Sequence, residues 1–377
     1  MKCCYYEQKK CLSCRWIERS YPSQLQEKQQ YMINQLSQFS PKQIFQPIAS
    51  KESRFRNKAK MAVLGTVEKP ILGILNNNQP IDLCDCPLYS EAMKIALHKI
   101  KIFIKKLQLV PYNITKKKGE LKFIIISEAE NQFMLRFVLR SNKYQLKIAN
   151  AVDELKATIT GLAVITVNIQ PQHAAILEGK DEVILTQQKY LPAKLNHIPL
   201  FLLKGSFFQT NTSVAAQLYA TARNWLTNLP IHSVWDLFCG VGGFGLHCVT
   251  PERKLVGIEI NHEAIECAKL SANLLGYSQL HFQSLDASQF ALSQKSHIPD
   301  IILVNPPRRG IGNVLIDYLQ TVSPNYILYS SCNLSSLVAD LKALANYQIH
   351  CAQLFDMFPH SEHMEVLVLL NKNNKEN

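Results

Sequence analysis

The chain has 377 residues, 47% of them apolar and 19% charged, with eleven cysteines and a formal net charge of +12. These values exclude a disordered chain and a secreted disulfide scaffold, and no apolar run approaches the roughly 18 residues of a membrane span. With no apolar signal segment at the amino terminus, we expect a cytoplasmic protein with reduced thiols, no membrane contact and a polyanionic partner.

The first predicted region, residues 1–47, joins clustered cysteines to a short helix. Apolar residues at helical spacing between Tyr21 and Gln38 predict an amphipathic helix. Clustered thiols in a reducing compartment favour a metal site or catalysis over disulfides. Four thiolates bind zinc or an iron–sulfur cluster, and spacing alone does not separate the two. The cysteines of this region are Cys3, Cys4, Cys11 and Cys14.

The second predicted region, residues 48–200, has the pattern of an antiparallel α+β domain. A helix is expected within Ser90–Leu109, where apolar residues recur at helical spacing. The predicted strands are Met61–Val67, Ile71–Leu75, a hairpin of Leu121–Ser127 with Phe133–Leu139, and a second hairpin of Val164–Ile169 with Ala174–Leu177.

Basic residues of this second region are candidates for contacts with nucleic-acid phosphates, although a solvated strand face explains them equally well. If the chain is extended from residue 54 to residue 60, alternate cations share one face. Binding through such a row weakens linearly with the logarithm of the salt concentration. The candidate residues are Arg54, Arg56, Lys58, Lys60, Lys116, Lys117, Lys118, Lys122, Arg136 and Arg140.

The third predicted region, residues 201–377, alternates strands and helices, which indicates a doubly wound, mostly parallel α/β sheet. The chain has a helical pattern over His262–Leu275. The predicted strands are Ser233–Phe238, Leu255–Ile260, Ile301–Val304, Tyr326–Ser330 and Glu365–Leu370.

A glycine-rich turn follows the first of these strands. Gly240, Gly242 and Gly245 match the pattern G-x-G-x-x-G, and Glu259 ends the next strand nineteen residues after Gly240. Such a loop lets the backbone approach a ligand, and the acidic side chain accepts hydrogen bonds from ribose hydroxyls. This pattern fits both NAD(P) and S-adenosylmethionine (AdoMet), and a turn that needs glycine only for packing is the third alternative.

A later strand ends in Asn305-Pro306-Pro307, which favours AdoMet over a nicotinamide cofactor. The carboxyl ends of strands line the ligand crevice of a doubly wound sheet, and the two prolines fix a rigid loop that holds an amide there. Arg308 follows the prolines where amine-methylating enzymes have an aromatic residue, so that subclass is disfavoured.

Two further residues fit the methylation of C5 of a uracil. This carbon is a weak nucleophile, but a thiolate that adds at C6 makes it an enolate carbon, and a base must then remove the C5 proton. Cys332 ends another strand and Glu365 begins the last one. His360 and His363 are rival bases, since the unperturbed pKa of histidine suits the task better.

The motifs together resemble the RNA uracil-C5 methyltransferase family over essentially the whole chain. The resemblance implies that Cys332 is the nucleophile and Glu365 the proton acceptor. It also implies an AdoMet site in the glycine loop, with Asp286 near the adenine. Much of the family has Asp where this chain has Asn305, and this departure weakens any claim that a carboxylate is essential at that position. The residues expected to bind AdoMet are Gln209, Phe238, Gly240, Glu259, Asp286 and Asn305.

The resemblance also implies a four-iron four-sulfur (4Fe–4S) cluster. Its expected ligands are Cys3, Cys11, Cys14 and Cys86, with Cys86 preferred to Cys84 and with Cys4 as a substitute for Cys3. The implied substrate is 23S rRNA, at the uridine numbered 747, and no obligate protein partner is indicated. The alternatives are another uridine in rRNA or tRNA, an NAD(P)-dependent oxidoreductase, and an RNA-binding module without activity.

Overall fold

The computed structural model describes residues 1–173, 176–206, 208–294 and 297–373. The α-helices in this part of the chain are α1 (Cys4–Glu7), α2 (Tyr21–Leu36), α3 (Glu91–Lys106), α4 (Gln145–Ala149), α5 (Val152–Thr158), α6 (Thr212–Leu226), α7 (Gly243–Cys248), α8 (His262–Leu275), α9 (Ala287–Ser293), α10 (Asn313–Val322) and α11 (Leu334–Ala343). None of these helices has the length and apolar character needed to cross a bilayer.

The strands of the same residues belong to two large sheets and one small hairpin. They are β1 (Gln43–Ile44), β2 (Lys58–Gly65), β3 (Pro70–Asn76), β4 (Gln79–Asp82), β5 (Leu121–Ala129), β6 (Gln132–Leu139), β7 (Leu162–Ile169), β8 (Asp181–Ile184), β9 (Leu191–Leu195), β10 (Ile198–Leu202), β11 (Ser233–Leu237), β12 (Lys254–Glu259), β13 (Leu280–Ser284), β14 (Ile301–Val304), β15 (Tyr326–Ser331), β16 (Tyr347–Phe355) and β17 (Glu365–Lys372).

The chain divides into two compact units, and each is assembled from two separate segments. The first unit combines Met1–Cys14 with Glu52–Ala193, and the second combines Arg15–Lys51 with Lys194–Asn377. The segment predicted over residues 1–47 is therefore divided, since its cysteines belong to the first unit and its helix to the second.

The first unit contains a sheet with the strand order β4-β3-β2-β5-β6-β7-β8. Helix α3 buries Leu97, Ile100 and Ile104 in the apolar cluster formed with this sheet. The predicted hairpin of β5 and β6 is confirmed, but β6 and β7 are parallel because a helical crossover, α4 and α5, connects them.

The predicted pairing of Val164–Ile169 with Ala174–Leu177 is wrong for the part of the second segment that the structure describes. Residues 174 and 175 of the predicted second strand lie outside the described residues, and Ile176 and Leu177 are not in a strand. Strand β7 pairs instead with β8, a few residues further along the chain.

The predicted row of phosphate-binding cations is also wrong in part. Lys122 and Arg136 are buried, with Lys122 donating to backbone carbonyls and Arg136 lying 2.7 Å from both Glu178 and Glu182. Arg140 pairs with Glu120, and Arg54 has a φ of +55°, so the chain is not extended from residue 54. These partners come from distant positions that local charge patterning does not reveal.

The second unit contains a mixed sheet with the order β1-β16-β17-β15-β14-β11-β12-β13. Strands β11 to β15 are parallel, so their carboxyl ends meet at one edge of the sheet. Strand β17 is antiparallel to β15, and Ser331 at the end of β15 pairs with Val366 at the start of β17. The beginning of β17 therefore lies at the same edge as the ends of the parallel strands.

Helix α2 packs on this second unit and confirms the helix predicted over Tyr21–Gln38. Ser20 caps its amino terminus, and Met32 and Leu36 are fully buried in the core of the unit. Two polar side chains of the same helix, Gln24 and Lys28, are also fully buried. Apolar periodicity does not predict this burial, which depends on contacts described below.

Candidate active site

A cavity of about 610 Å³ opens at the edge where the strand ends of the second unit meet. Every residue expected from the sequence to bind AdoMet or to act in catalysis lines this cavity, although the role of each remains a prediction. These residues are Gln209, Phe238, Gly240, Glu259, Asp286, Asn305, Cys332 and Glu365.

The glycine loop forms one end of the cavity. Gly240 has a φ of +54°, a conformation that residues with a Cβ rarely adopt. Phe238 has a φ of +72° despite its side chain, and it is held there because its N–H and that of Cys239 both donate to the carbonyl oxygen of Ile258 at 2.9 Å. Local backbone strain of this kind concentrates at functional sites.

Glu259 lies beside this loop at the end of β12. Its Oε2 accepts a hydrogen bond from the N–H of Gly240 at 3.2 Å, and its Oε1 accepts one from the N–H of Asn261 at 2.9 Å. The carboxylate is therefore oriented toward the loop by two backbone groups. This is the geometry expected of an acidic residue that accepts hydrogen bonds from the hydroxyls of a ribose.

Asp236 lies buried beneath the loop and fixes its far side. Its Oδ2 accepts a hydrogen bond from the N–H of Gly245 at 2.8 Å, and a Cβ on Gly245 would lie equally close to that oxygen. Burial raises the pKa of Asp236 to about 7, the N–H of Gly245 opposes that rise, and the charge of Glu259 adds to it. Only glycine at position 245 permits this close approach.

Asp286 and Asn305 also line the cavity, and with the glycine loop and Glu259 they form the end predicted to hold AdoMet, called the cofactor end below. Asp286 caps α9, since its Oδ1 accepts hydrogen bonds from the N–H groups of Ser288 and Gln289. Asn305 follows β14 directly and is half-buried, so its amide is held at the carboxyl edge of the sheet.

Cys332 and Glu365 form the other end: Cys332 directly follows β15, and Glu365 is the first residue of the neighbouring strand β17. Burial raises the pKa of the Cys332 thiol, and the negative charge of Glu365 adds to that rise. The Arg308 guanidinium opposes it through its charge and through a hydrogen bond to the sulfur. A positively charged donor beside a thiol is typical of cysteines that act as thiolates.

Glu365 is buried and has a pKa suited to proton transfer near neutrality. Burial raises its pKa to about 7, and a hydrogen bond donated by the Ser330 hydroxyl to Oε1 partly offsets that rise. A general base is most effective when its pKa lies near the working pH.

The rival bases, His360 and His363, are not among the described residues that line the cavity. His360 is fully buried, and its Nδ1 lies 3.2 Å from Nε2 of Gln24. The ring of His363 stacks edge-on against Phe358, and burial lowers the pKa of His363. The geometry therefore favours Glu365 over either histidine.

Several residues that line the cavity, or that contact a residue lining it, were not predicted as site residues from the sequence. The positions of two of them in the sequence could have identified them. Arg308 directly follows Pro306-Pro307, and Ser330 lies two positions before Cys332. Tyr219 and Phe358 had no local signal, since an aromatic residue on a helix or in a loop most often packs in a core. Three of these residues, Arg308, Tyr219 and Phe358, contribute directly to the wall.

The predicted metal ligands lie in the first unit. Burial raises the pKa of Cys14 to about 12, and the neighbouring charges of Cys86, Cys11 and Cys3 add to that rise. These four thiols are therefore close to one another. No group of His, Cys, Asp or Glu side chains in the described parts of the chain is arranged as a metal site, however.

The other two candidate ligands are less suitable. Cys84 is fully buried in the apolar core, where its charged neighbours include Asp82, Asp85 and Lys101. Cys4 is exposed. The structure therefore favours Cys86 over Cys84 and Cys3 over Cys4 as members of the set.

Comparison with known proteins places this chain among uracil-C5 methyltransferases. Residues 20–373 match the family model described as tRNA (Uracil-5-)-methyltransferase. The 23S rRNA (uracil(747)-C(5))-methyltransferase RlmC of Escherichia coli O157:H7 is 50% identical over 375 residues, which are 99% of this chain and 100% of that protein. The RlmC protein of Escherichia coli O139:H28 (strain E24377A) has the same identity and coverage.

One solved structure is closely similar in fold. The Pyrococcus abyssi tRNA (uracil-54, C5)-methyltransferase, in complex with S-adenosyl-L-homocysteine, superposes with a TM-score of 0.78. The match covers 95% of this chain and 86% of that chain at 22% sequence identity. The fold is thus that of an α/β methyltransferase. By its sequence, the chain belongs to the tRNA (uracil-5-)-methyltransferase family.

Proposed function

We propose that this chain transfers a methyl group from AdoMet to C5 of a uridine in 23S rRNA, the uridine numbered 747. The observation that carries the proposal is the cavity that Cys332 and Glu365 share with the glycine loop and Glu259. The RlmC relatives support the choice of substrate, since the match extends over 99% of this chain.

In this proposal the cofactor end holds AdoMet without taking part in the chemistry. Glu259 accepts hydrogen bonds from the ribose, Asp286 lies near the adenine, and Gln209, Phe238 and Asn305 surround the remainder. When bound, AdoMet supplies the methyl group that C5 accepts.

The catalytic end acts on the uracil in three steps. The thiolate of Cys332 adds to C6, which pushes electron density to C5, and C5 accepts the methyl group. Glu365 then takes the proton from C5, and the bond between the sulfur and C6 breaks to restore the thiolate. The target uridine must leave any base stack to reach the sulfur, which costs a few kcal/mol and favours a single-stranded loop.

Transfer of labelled methyl from AdoMet to a 23S rRNA transcript, with the modified nucleotide mapped, tests this proposal. We expect 5-methyluridine at position 747. Label in tRNA alone would indicate a different substrate within the family. A protein that binds AdoMet and transfers no label to either RNA would contradict the activity.

We also propose that Cys3, Cys11, Cys14 and Cys86 hold a 4Fe–4S cluster. The mutual proximity of the four thiols supports this set, because four closely spaced thiolates need a compensating positive charge. Arg56 supplies part of that charge, since its guanidinium opposes the pKa rise of both Cys14 and Cys86. Methyl transfer from AdoMet needs no electron, so the role of the cluster is structural or in RNA binding.

Purification without oxygen separates the cluster from its main alternative. We expect a brown protein with iron and sulfide in equal amounts, and loss of both in Cys14→Ser. The exposed Cys4 offers a control, because Cys4→Ser should keep the full iron content. A colourless protein with one tightly held zinc ion would contradict the proposal.

The proposed rRNA substrate supports a cytoplasmic location.

The exposed cations of the first unit support a role in RNA binding. Lys116, Lys117 and Lys118 lie on an exposed loop, and Arg56 and Lys60 are also exposed. We expect RNA affinity to fall linearly with the logarithm of the salt concentration. An affinity that is independent of salt would contradict phosphate binding by these residues.

A further inference from the structure

The loop that connects β16 to β17 carries Glu365 at its carboxyl end. It spans nine residues, 356 to 364, and its flanking residues Phe355 and Glu365 pair across the two strands. The loop also carries Phe358, which lines the cavity. Its conformation therefore determines where both Phe358 and the Glu365 carboxylate lie relative to a bound uracil.

A single side chain of helix α2 binds this loop at both ends. Nζ of Lys28 lies 2.6 Å from Oδ1 of Asp356 and donates to the carbonyl oxygens of Phe358 at 3.1 Å and His363 at 2.9 Å. Asp356 begins the loop, and His363 lies two residues before Glu365. The ammonium group thus uses all three of its donors to tie the start, middle and end of the loop together.

Gln24, one turn earlier on α2, reinforces this arrangement. Its Oε1 accepts a hydrogen bond from the N–H of His360 at 2.8 Å, and its Nε2 donates to the carbonyl oxygens of Trp16 and Arg19. The N–H of Trp16 in turn donates to the carbonyl of His360 at 3.0 Å. The amino-terminal segment therefore contacts the middle of the loop as well.

The buried Lys28–Asp356 pair is better explained by a role in positioning the loop than by a contribution to the free energy of unfolding. Both side chains are fully buried, and Oδ2 of Asp356 has no hydrogen-bond partner among the described residues. Burial lowers the pKa of Lys28, against the opposing charge of Asp356. A buried ion pair gains little net stability over apolar residues of the same volume, because desolvation offsets most of the attraction.

We infer that Lys28 is a positioning residue for the proton-abstraction step, because it holds the 356–364 loop and thereby aims Glu365 at C5 of the target uracil. This inference rests on the proposed function. The inference concerns only the last of the three chemical steps, because Cys332 directly follows β15 and is not part of the 356–364 loop. Without Lys28, the sulfur still adds to C6 and C5 still accepts the methyl group. The C5 proton then leaves slowly, so the bond between the sulfur and C6 persists.

The test uses the full-length protein, AdoMet and a 23S rRNA transcript, with Lys28→Met as the main variant. We expect turnover to fall roughly 10- to 100-fold, as for a misplacement of about 1 Å. A covalent protein–RNA adduct that carries the new methyl group should accumulate on denaturing gels. The dissociation constant for AdoMet should stay within about twofold of the wild-type value, because the cofactor end is unchanged.

A second variant covers the risk that Lys28→Met leaves an unpaired buried carboxylate and fails to fold. The double variant Lys28→Met/Asp356→Asn has no buried charge at this position, but it still lacks the donors to Phe358 and His363. It should melt close to the wild-type temperature and accumulate the same adduct. Glu27→Gln, which removes an exposed charge from the same helix, should behave as wild type.

Three results overturn the inference. Folded variants with wild-type turnover would show that the loop keeps its position without Lys28. A loss of turnover with no adduct would show a general structural role. A wild-type protein that transfers no methyl group would contradict the proposed function itself, and this result is distinguishable because it appears before any substitution is made.

Discussion

The two ends of the cavity are built in different ways. At the cofactor end, the principal contacts join residues that are close in sequence, such as the Gly240 N–H and Glu259, nineteen positions apart. At the catalytic end, Glu365 follows a loop held by Lys28, whose partner Asp356 is 328 positions away. The glycine loop of the first end belongs to a local strand–turn–helix unit, whereas the second end exists only when distant parts of the chain are packed together.

This difference predicts that substitutions at the two ends have separable effects. Changes at the cofactor end should alter the affinity for AdoMet, and changes at the catalytic end should alter chemical steps while leaving that affinity intact. The following substitutions test the separation, in order of decreasing effect.

Cys332→Ala should give the largest loss, because no other group can supply the bond to C6. We expect turnover to fall by roughly 10⁴-fold or more, as for removal of other covalent nucleophiles, with calorimetric affinity for AdoMet within twofold of wild type. Cys351→Ala, which removes a buried thiol from the same sheet, is the matched control. A shared loss of activity in both variants would point to destabilisation rather than to a missing nucleophile.

Glu365→Gln should lower turnover by roughly 10²- to 10⁴-fold, the usual contribution of a general base. Since addition and methyl transfer precede the step that Glu365 performs, the covalent adduct should accumulate on denaturing gels. His363→Gln serves as the control and should keep most of the activity. If instead His363→Gln forms the adduct and Glu365→Gln turns over normally, the base is the histidine.

Glu259→Gln should weaken AdoMet binding at the cofactor end without affecting the catalytic end. Loss of hydrogen bonds to a charged acceptor costs about 1.5–3 kcal/mol, so the dissociation constant for AdoMet should rise roughly 10- to 100-fold. At saturating AdoMet the turnover should return to near the wild-type value. Glu266→Gln, on the exposed face of α8, should leave binding unchanged. A loss of turnover that saturation does not restore would show that the two ends are coupled.

Ser330→Ala should have the smallest effect and should depend on pH. The Ser330 hydroxyl lowers the pKa of Glu365, so its removal raises that pKa above about 7. The carboxylate is then ionised only at higher pH, and activity should fall a few-fold near pH 7 and recover in alkaline buffer. The pH–rate profile measures this shift, with Ser335→Ala as control. An unshifted pH–rate profile would show that the rate does not depend on the ionisation of Glu365.

The sequence predicts the local features of this protein well. Helix α8 and strand β14 have the predicted bounds, and the glycine loop lies where the pattern placed it. Strand β16 was missed, although Gln348 and His350 alternate with apolar residues as in a half-buried strand, and the structure pairs it with β17.

The long-range features were not predictable in the same way. Periodicity in α2 marks Met32 and Leu36 as buried, but it cannot mark Lys28, because burial of a lysine requires the distant Asp356. The burial of Arg136 was missed for the same reason, since its acidic partners Glu178 and Glu182 lie more than forty positions away. Charged residues are therefore the ones whose environment sequence patterning describes worst.

The central claim is that one cavity brings the Cys332 sulfur, a methyl donor and the Glu365 base to a single uracil ring. An RNA with 5-fluorouridine at the target position tests it most directly, because the ring then has no C5 proton to remove and the sulfur cannot be released. After incubation with AdoMet, mass spectrometry should find one peptide, containing Cys332, linked to a nucleotide that has gained a methyl group. An RNA that stays unattached, or attachment through any other residue, would contradict the account.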